Sequence, residues 1–463
     1  MKARNDGEVA DIVKQHVGEF NEIHVSAAVS RIAKLTARRG TRTLGKSQRD
    51  SVLLLLEERL HDFERIRARN VAGLLWSYAK LRYPGNHSAV QCVSDHVLGV
   101  VDDFNAMDIA NTVWAWATMG HQPSADALAA MERRVLACVD DFDPQALANT
   151  VWAWATMRHQ PSTDALAALE RRMLACVDDF KPQELANTVW AWATMRHRLS
   201  ADALAALERR MLACVDDFKP QELANTVWAW ATMRHQPSAD SLAALERRVL
   251  ACVDDFKPQH LSNTVMAVAM LMNDIEGDKI TIDQNILDRL LRRLEHAAQL
   301  RSLDVIDYRQ IFLAHHLLSD RFKPSATLLD QAREAWAQQF ASVSSSSRSF
   351  LNKEVAACLD RLSIAYDVEA LTEDGMHRID MLVRGRTDDG GERLLAIKCD
   401  GRARFMRASD GTYRIDGSTY ARNCDLRKLG LGVLSVARHE WIRLKKDERD
   451  AYLSRELQER GIV

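Results

Sequence analysis

Asn111, Asn149, Asn187, Asn225 and Asn263 recur in one register, 38 residues apart. An amide side chain both donates and accepts, so such a row can read base edges. It can equally tie neighbouring repeats together through backbone hydrogen bonds. A second row, Asn105, Asp143, Lys181, Lys219 and Lys257, changes type from copy to copy, and Gln145, Gln183, Gln221 and Gln259 stand two residues beyond it. Variation at a surface position in otherwise copied sequence is what a base code requires, although drift on a solvated face gives the same pattern. Arg158, Arg196 and Arg234 form a third row. A cation there suits phosphate, and it also suits the negative end of a helix.

The element that must position these rows is the stretch from Asp140 to Val177, DDFDPQALANTVWAWATMRHQPSTDALAALERRMLACV, which recurs almost unchanged. Trp76, Trp114, Trp152, Trp190 and Trp228 keep the same 38-residue spacing. A fixed period of that size predicts a solenoid of stacked units. Each unit reads as two helices. Pro144, Pro182 and Pro220 suit a first helical position, and LANTVWAWATM follows without a breaker, giving helix A. Ser162 or Ser238 then caps helix B, on which Leu166, Leu169, Met173 and Cys176 form an apolar stripe while Glu170, Arg171 and Arg172 are expected to face away. Trp152 and Trp154 point to nearly opposite sides, so one of them can be an exposed stacking platform. The replacement of the pair by Met266 and Val268 in a later copy favours packing for both.

Weaker copies extend the array. Phe20 to Leu35 reads as a degenerate helix A, Ser47 to Asp62 as a helix after a basic, Gly-broken link at Arg38 to Lys46, and an insertion at Asn273 to Asp283 precedes further helical units through Phe340. The net charge of −2 announces no polyanion partner, so a nucleic-acid surface would have to come from local placement of charge. Cys138, Cys176, Cys214 and Cys252 share one repeat position, which argues for buried, reduced thiols, and no CxxC or Cys/His metal spacing is present. The N-terminus lacks a clear targeting pattern and no run is long enough to span a bilayer. The expected location is therefore a reducing intracellular compartment, bacterial cytoplasm or organelle matrix.

Beyond a Ser-rich stretch, Ser342 to Ser349, the period changes. Leu351 to Leu362 reads as a helix, and YDVEAL, RIDMLVR, RLLAIKC and GVLSVA read as strands, with Asp389-Gly390-Gly391 as a turn. This is a small α/β domain.

The NTVWAWATM core with its preceding FKPQEL resembles the octotricopeptide repeat, specifically over 102–272. LAIKCDGRARF followed by DGSTYARNCDLRKLGLGVLSVARHEWIRL resembles the RAP domain that commonly follows such repeats. The resemblance implies a mainly α protein, with a right-handed α-solenoid over residues 1–341 and a small α/β, restriction-endonuclease-like domain over 350–463. It implies an RNA-binding protein acting in RNA processing, stability or translation. A nuclease of that fold needs carboxylates that hold a hard divalent metal such as Mg2+. Asp380 and Asp400 match two such places, and Glu354 can contribute from the preceding helix. Lys398 stands where RAP sequences commonly carry Glu, beside Asp400 on the same strand face, so a Lys398–Asp400 pair that neutralises the site is expected. Arg402, Arg404, Arg407, Arg422, Arg427 and Lys428 then matter as phosphate contacts.

The partner expected on this reading is single-stranded RNA, read one base per repeat. A metal-dependent endoribonuclease guided by the repeats and a protein-interaction scaffold are the alternatives.

Overall fold

The computed structural model describes residues 6–37, 46–273, 280–341, 349–386, 392–408 and 410–462. The Asp389-Gly390-Gly391 turn lies outside them, as do most of the Arg38–Lys46 link, the Asn273–Asp283 insertion and the Ser-rich stretch. The chain divides into two compact units. One holds residues 1–195 and 199–213, the other residues 196–198 and 214–463.

The first unit is helical: α1 (Asp6–His16), α2 (Glu22–Ala37), α3 (Lys46–Leu60), α4 (Ala68–Lys80), α5 (Ser88–Asp95), α6 (Ala106–Met119), α7 (Ala125–Ala137), α8 (Pro144–Thr156), α9 (Thr163–Ala175), α10 (Pro182–Thr194) and α11 (Ala201–Cys214). The A-type helices pack in series, α2 on α4, α4 on α6, α6 on α8 and α8 on α10. Their core repeats with the sequence. Trp116, Trp154 and Trp192 are fully buried, as are Phe104, Phe142 and Phe180 just before each helix A. Pro144 and Pro182 occupy first-turn positions as expected, and Ser162 Oγ accepts from the Ala165 N–H at 3.2 Å.

Helix B departs from the expected pattern. Glu170 is buried and Arg172 half-buried, rather than both facing away. The Arg172 Nε donates to the Phe142 carbonyl at 2.7 Å, and Arg134 and Arg210 do the same to Phe104 and Phe180. Glu170 in turn accepts from the Ser200 N–H at 2.8 Å. The physical reason is that Phe142, at the entry to helix A, exposes a carbonyl with no helical partner, and a guanidinium reaching over from helix B of the same repeat satisfies it.

The second unit continues with β1 (His197–Arg198), α12 (Pro220–Met233), α13 (Ala239–Cys252), α14 (Pro258–Met272), α15 (Gln284–Gln299), α16 (Val305–Leu318), α17 (Ala326–Ala341) and α18 (Phe350–Arg361). Here α12 packs on α14, α14 on α16 and α16 on α17. Then come β2 (Tyr366–Leu371), β3 (Arg378–Arg386), β4 (Glu392–Asp400), β5 (Phe405–Ala408), β6 (Tyr413–Ile415), α19 (Gly417–Lys428), β7 (Gly432–Ala437), α20 (Arg438–Trp441) and α21 (Lys446–Glu459).

The four expected strands form one mixed sheet in the order β2-β3-β4-β7, antiparallel except for the parallel β4–β7 pair. Parallel neighbours need a long crossover, and the chain from β5 through α19 supplies it. Leu351, Val355 and Leu359 of α18 and Leu453 and Leu457 of α21 pack on Val383, Leu395, Ile397 and Val436 of the sheet, while Leu426 of α19 packs with Ala396. The sequence reading did not anticipate the second sheet, β1-β5-β6. In it the two-residue β1 pairs parallel with β5, His197 opposite Arg407.

Candidate nucleic-acid interface

On helix A the residues that remain accessible fall on one stripe. In α8, Gln145 and Thr156 are exposed and Asn149 and Trp152 half-buried, at steps of four, three and four residues. That is one helical face. Trp154, two residues from Trp152, is completely buried. The expectation of packing for both tryptophans therefore holds in full for the Trp154 register, while Trp114, Trp152, Trp190 and Trp228 are half-buried and keep an accessible edge. Met266, in the same register on α14, is buried. At the start of the array the same face borders a cavity of about 520 Å³ lined by Lys34, Arg69, Trp76, Asp108 and Asn111. The Lys80 ammonium stands 5.4 Å from the Trp76 ring centroid and 4.6 Å from that of Trp114. A cation between aromatic faces offers both charge and stacking surface at one place.

Asn111, Asn149, Asn187 and Asn225 are half-buried on this stripe. Asn263 is engaged, its Oδ1 accepting from Gln310 Nε2 of α16 at 2.8 Å. Gln145, Gln183, Gln221 and Gln259 are exposed.

The row that varies sits at the helix N-caps. Asn105 and Asp143 cap directly, their side chains accepting from the Asp108 and Ala146 N–H groups at 2.9 and 2.7 Å. Lys181 and Lys219 cannot accept, and in those copies Glu184 and Glu222 reach back to the Lys181 and Lys219 N–H groups at 2.9 and 2.8 Å. The variation thus follows a change in how the helix start is satisfied. The Lys181, Lys219 and Lys257 side chains are left in solvent.

Arg158, Arg196 and Arg234 all adopt positive φ, 57°, 60° and 55°, at the position that Gly120 fills at 67°. They form the left-handed residue that closes helix A. Their guanidinium groups differ in fate. That of Arg158 is exposed, that of Arg196 pairs with buried Asp416, and that of Arg234 lies 3.4 Å from the Tyr420 ring centroid. Arg198, Arg234 and Arg414 form a cationic cluster beside β1 and β6; burial first, then these two neighbours, lower the Arg198 pKa. Arg402 and Arg404 are exposed in the turn between β4 and β5.

The carboxylates near β4 are arranged differently from the sequence expectation. Lys398 Nζ lies 3.0 Å from Asp380 Oδ2 and donates to the Arg378 carbonyl at 2.7 Å. Its partner is Asp380, not Asp400. Asp380 Oδ2 also accepts from the Cys399 N–H at 2.8 Å. Asp400, 3% exposed, is held by both Arg422 amino groups at 2.9 Å and by Ser435 Oγ. Burial would raise its pKa, but the Arg422 and Ser435 hydrogen bonds outweigh it and hold the carboxyl below its usual range. Burial lowers the Lys398 pKa against the pull of Asp380.

Asp380, Lys398, Arg404 and Arg422 border one cavity of about 380 Å³. Glu354 is bound to Arg449 between α18 and α21 and does not border it. Each aspartate thus carries its own cation, and the Asp400 oxygens are occupied by donors. This set does not fit a hard divalent ion such as Mg2+, which requires free oxygen ligands. Arg422 is likewise committed to Asp400 rather than presented to phosphate.

The sequence reading missed His316, His377 and Asp425. His316 Nε2 and His377 Nε2 lie 2.7 and 2.5 Å from the same oxygen, Asp425 Oδ2. Burial raises the Asp425 pKa, yet the two histidine hydrogen bonds hold it well below the usual carboxylate range. No local spacing marks these residues, because they come from α16, the turn before β3, and α19.

A family model described as RNA-editing substrate-binding complex 6 protein matches residues 57–238. No curated protein matches the chain. Among the described residues no helix is long and apolar enough to cross a membrane.

Proposed function

We propose that the chain is a sequence-selective, single-stranded RNA-binding protein acting in RNA processing, stability or translation. The observation that carries this reading is the repeated Gln-Asn-Trp stripe of helix A, accessible in copy after copy at 38-residue spacing. Unstacked bases present a π face to a half-exposed indole and hydrogen-bonding edges to amides. The family match over 57–238 supports it, because that span contains the stripe and the family takes its description from RNA-editing substrate binding. On this reading residues 1–341 form a right-handed α-solenoid of octotricopeptide type and 350–463 a RAP-type domain. Asn111, Asn149, Asn187 and Asn225 with the Gln145, Gln183 and Gln221 row contact bases. Lys181, Lys219, Lys257, Arg158, Arg402 and Arg404 contact phosphate.

The C-terminal domain assists binding rather than cleaving. Lys398 and Arg422 neutralise the two carboxylates that a metal-dependent nuclease would use. Selection from a pool of randomised RNA with the full chain tests the proposal. Enrichment of a short unpaired motif is expected, and a pool that enriches nothing overturns it. Magnesium-dependent cleavage of the selected RNA that is lost in Asp380→Asn would replace the binding-only reading with the nuclease one.

A further inference from the structure

His316, His377 and Asp425 bring one ligand atom each to within 4.8 Å of one another. His377 and Asp425 are buried and His316 is half-buried. Both imidazoles aim Nε2 at the same carboxylate oxygen, so three donors of the kind that bind borderline transition metals converge on one point. A fourth oxygen is close by, since Asp374 Oδ2 lies 3.8 Å from His316 Nε2. Asp374 is oriented through its other oxygen. Thr372 Oγ1 donates to Asp374 Oδ1 at 2.6 Å and the Met376 N–H at 3.0 Å, which leaves Oδ2 turned toward the cluster.

The turn that presents Asp374 and His377 is itself closed by a reciprocal pair of bonds. The Thr372 N–H donates to the His377 carbonyl at 2.9 Å and the His377 N–H to Thr372 Oγ1 at 3.0 Å. Such support is what orients metal ligands in known sites. A tetrahedral Zn2+ with bonds of about 2.0–2.1 Å spaces its ligand atoms roughly 3.3 Å apart. The present contacts of 2.5 and 2.7 Å would open by less than about 1 Å to admit it.

We propose that His316, His377 and Asp425, with Asp374 at their edge moving in as the fourth ligand, form a structural site for a divalent metal of the Zn2+ class, joining α16 to α19 and to the turn that enters β3. The N2O2 donor set and partial burial favour Zn2+ or Co2+ over Mg2+ or Ca2+. The site is independent of the RNA-binding reading and stands or falls by its own test.

The full chain, stripped with chelator, is titrated with Zn2+ by calorimetry and with Co2+ by visible spectroscopy. Expected are one equivalent per chain, intense ligand-field bands of a tetrahedral Co2+ centre, and a rise in Tm on loading. Affinity should fall at least ~100-fold in His377→Gln and His316→Gln, by loss of a direct ligand, while His61→Gln, at an exposed histidine, leaves it unchanged. Circular dichroism and Tm without metal report whether each variant folds. Asp374→Asn, which alters a carboxylate at the edge of the cluster, serves as a second variant if either histidine substitution unfolds the chain, and it should weaken binding. Absence of stoichiometric uptake, uptake indifferent to folded His377→Gln, or weak octahedral Co2+ bands would each overturn the proposal. In the first case the cluster is only a hydrogen-bonded histidine–aspartate latch.

Discussion

An indole two residues along a helix from another points to nearly the opposite side, and full burial of Trp154 beside a half-exposed Trp152 separates their roles. Trp154→Ala should cost ~3–5 kcal/mol by leaving a cavity. Trp152→Ala should cost clearly less stability and instead weaken RNA binding by ~1–3 kcal/mol through lost stacking. Chemical denaturation and fluorescence anisotropy on both variants separate the effects, and equal loss of stability in the two would count against an exposed stacking row. Arg422 illustrates the converse, a residue that reads as a phosphate contact in sequence and is an internal counterion in the structure. Arg422→Ala should destabilise by ~3–5 kcal/mol, because it strands a buried carboxylate. The Asp400 carboxyl is held below its ordinary value, so its stabilisation is present above the unfolded pKa of about 4 and is lost as pH falls through the folded value. The deficit of Arg422→Ala should therefore be largest at neutral pH and shrink as pH falls through this range, in urea unfolding at a series of pH values. Residue types alone located Asp380, Asp400 and Lys398. Which acid pairs with which base depends on strand twist and on α19, so the Lys398–Asp380 pair was not legible in the spacing.

The helices were more legible than the contacts between them. Period, Pro at the helix start and Ser before helix B placed both helices of each repeat, because these signals act within a few residues. The Arg172 to Phe142 bond links groups 30 residues apart, and β1 exists only by pairing with β5, so neither leaves a local mark. Loss of such a bond to a charged donor costs ~1.5–3 kcal/mol. Arg172→Ala should lower stability by that amount in denaturant titration, with helix content unchanged below the transition. Closure of helix A by arginine at positive φ carries strain that glycine would not. Arg158→Gly should accordingly raise stability by up to ~1 kcal/mol in the same titration. Any fall in RNA affinity it causes would then report the phosphate contact separately from folding.

At the scale of the whole chain, the copied sequence constrains what can be read. Residues 178–197 and 216–235 are identical, so the helix A stripes of α10 and α12 should favour the same base. A selected motif with different bases at those two places would assign discrimination to Arg198-Leu199 against Gln236-Pro237 in the following links. Net charge gave no direction at this scale, since −2 is nearly neutral. The cations proposed for phosphate are instead placed locally, at helix starts and in the turn after β4. The measurement closest to the central claim is competition, against a labelled single-stranded RNA, by the same sequence as a single strand and as a duplex. It is run with the wild-type chain and with the Trp152→Ala/Trp190→Ala double variant. The account predicts that the single strand competes at least tenfold better than the duplex for the wild type, about 1.4 kcal/mol, and that the double variant loses most of that preference while remaining folded. Equal competition by the duplex, or an unchanged preference in a folded double variant, would contradict it.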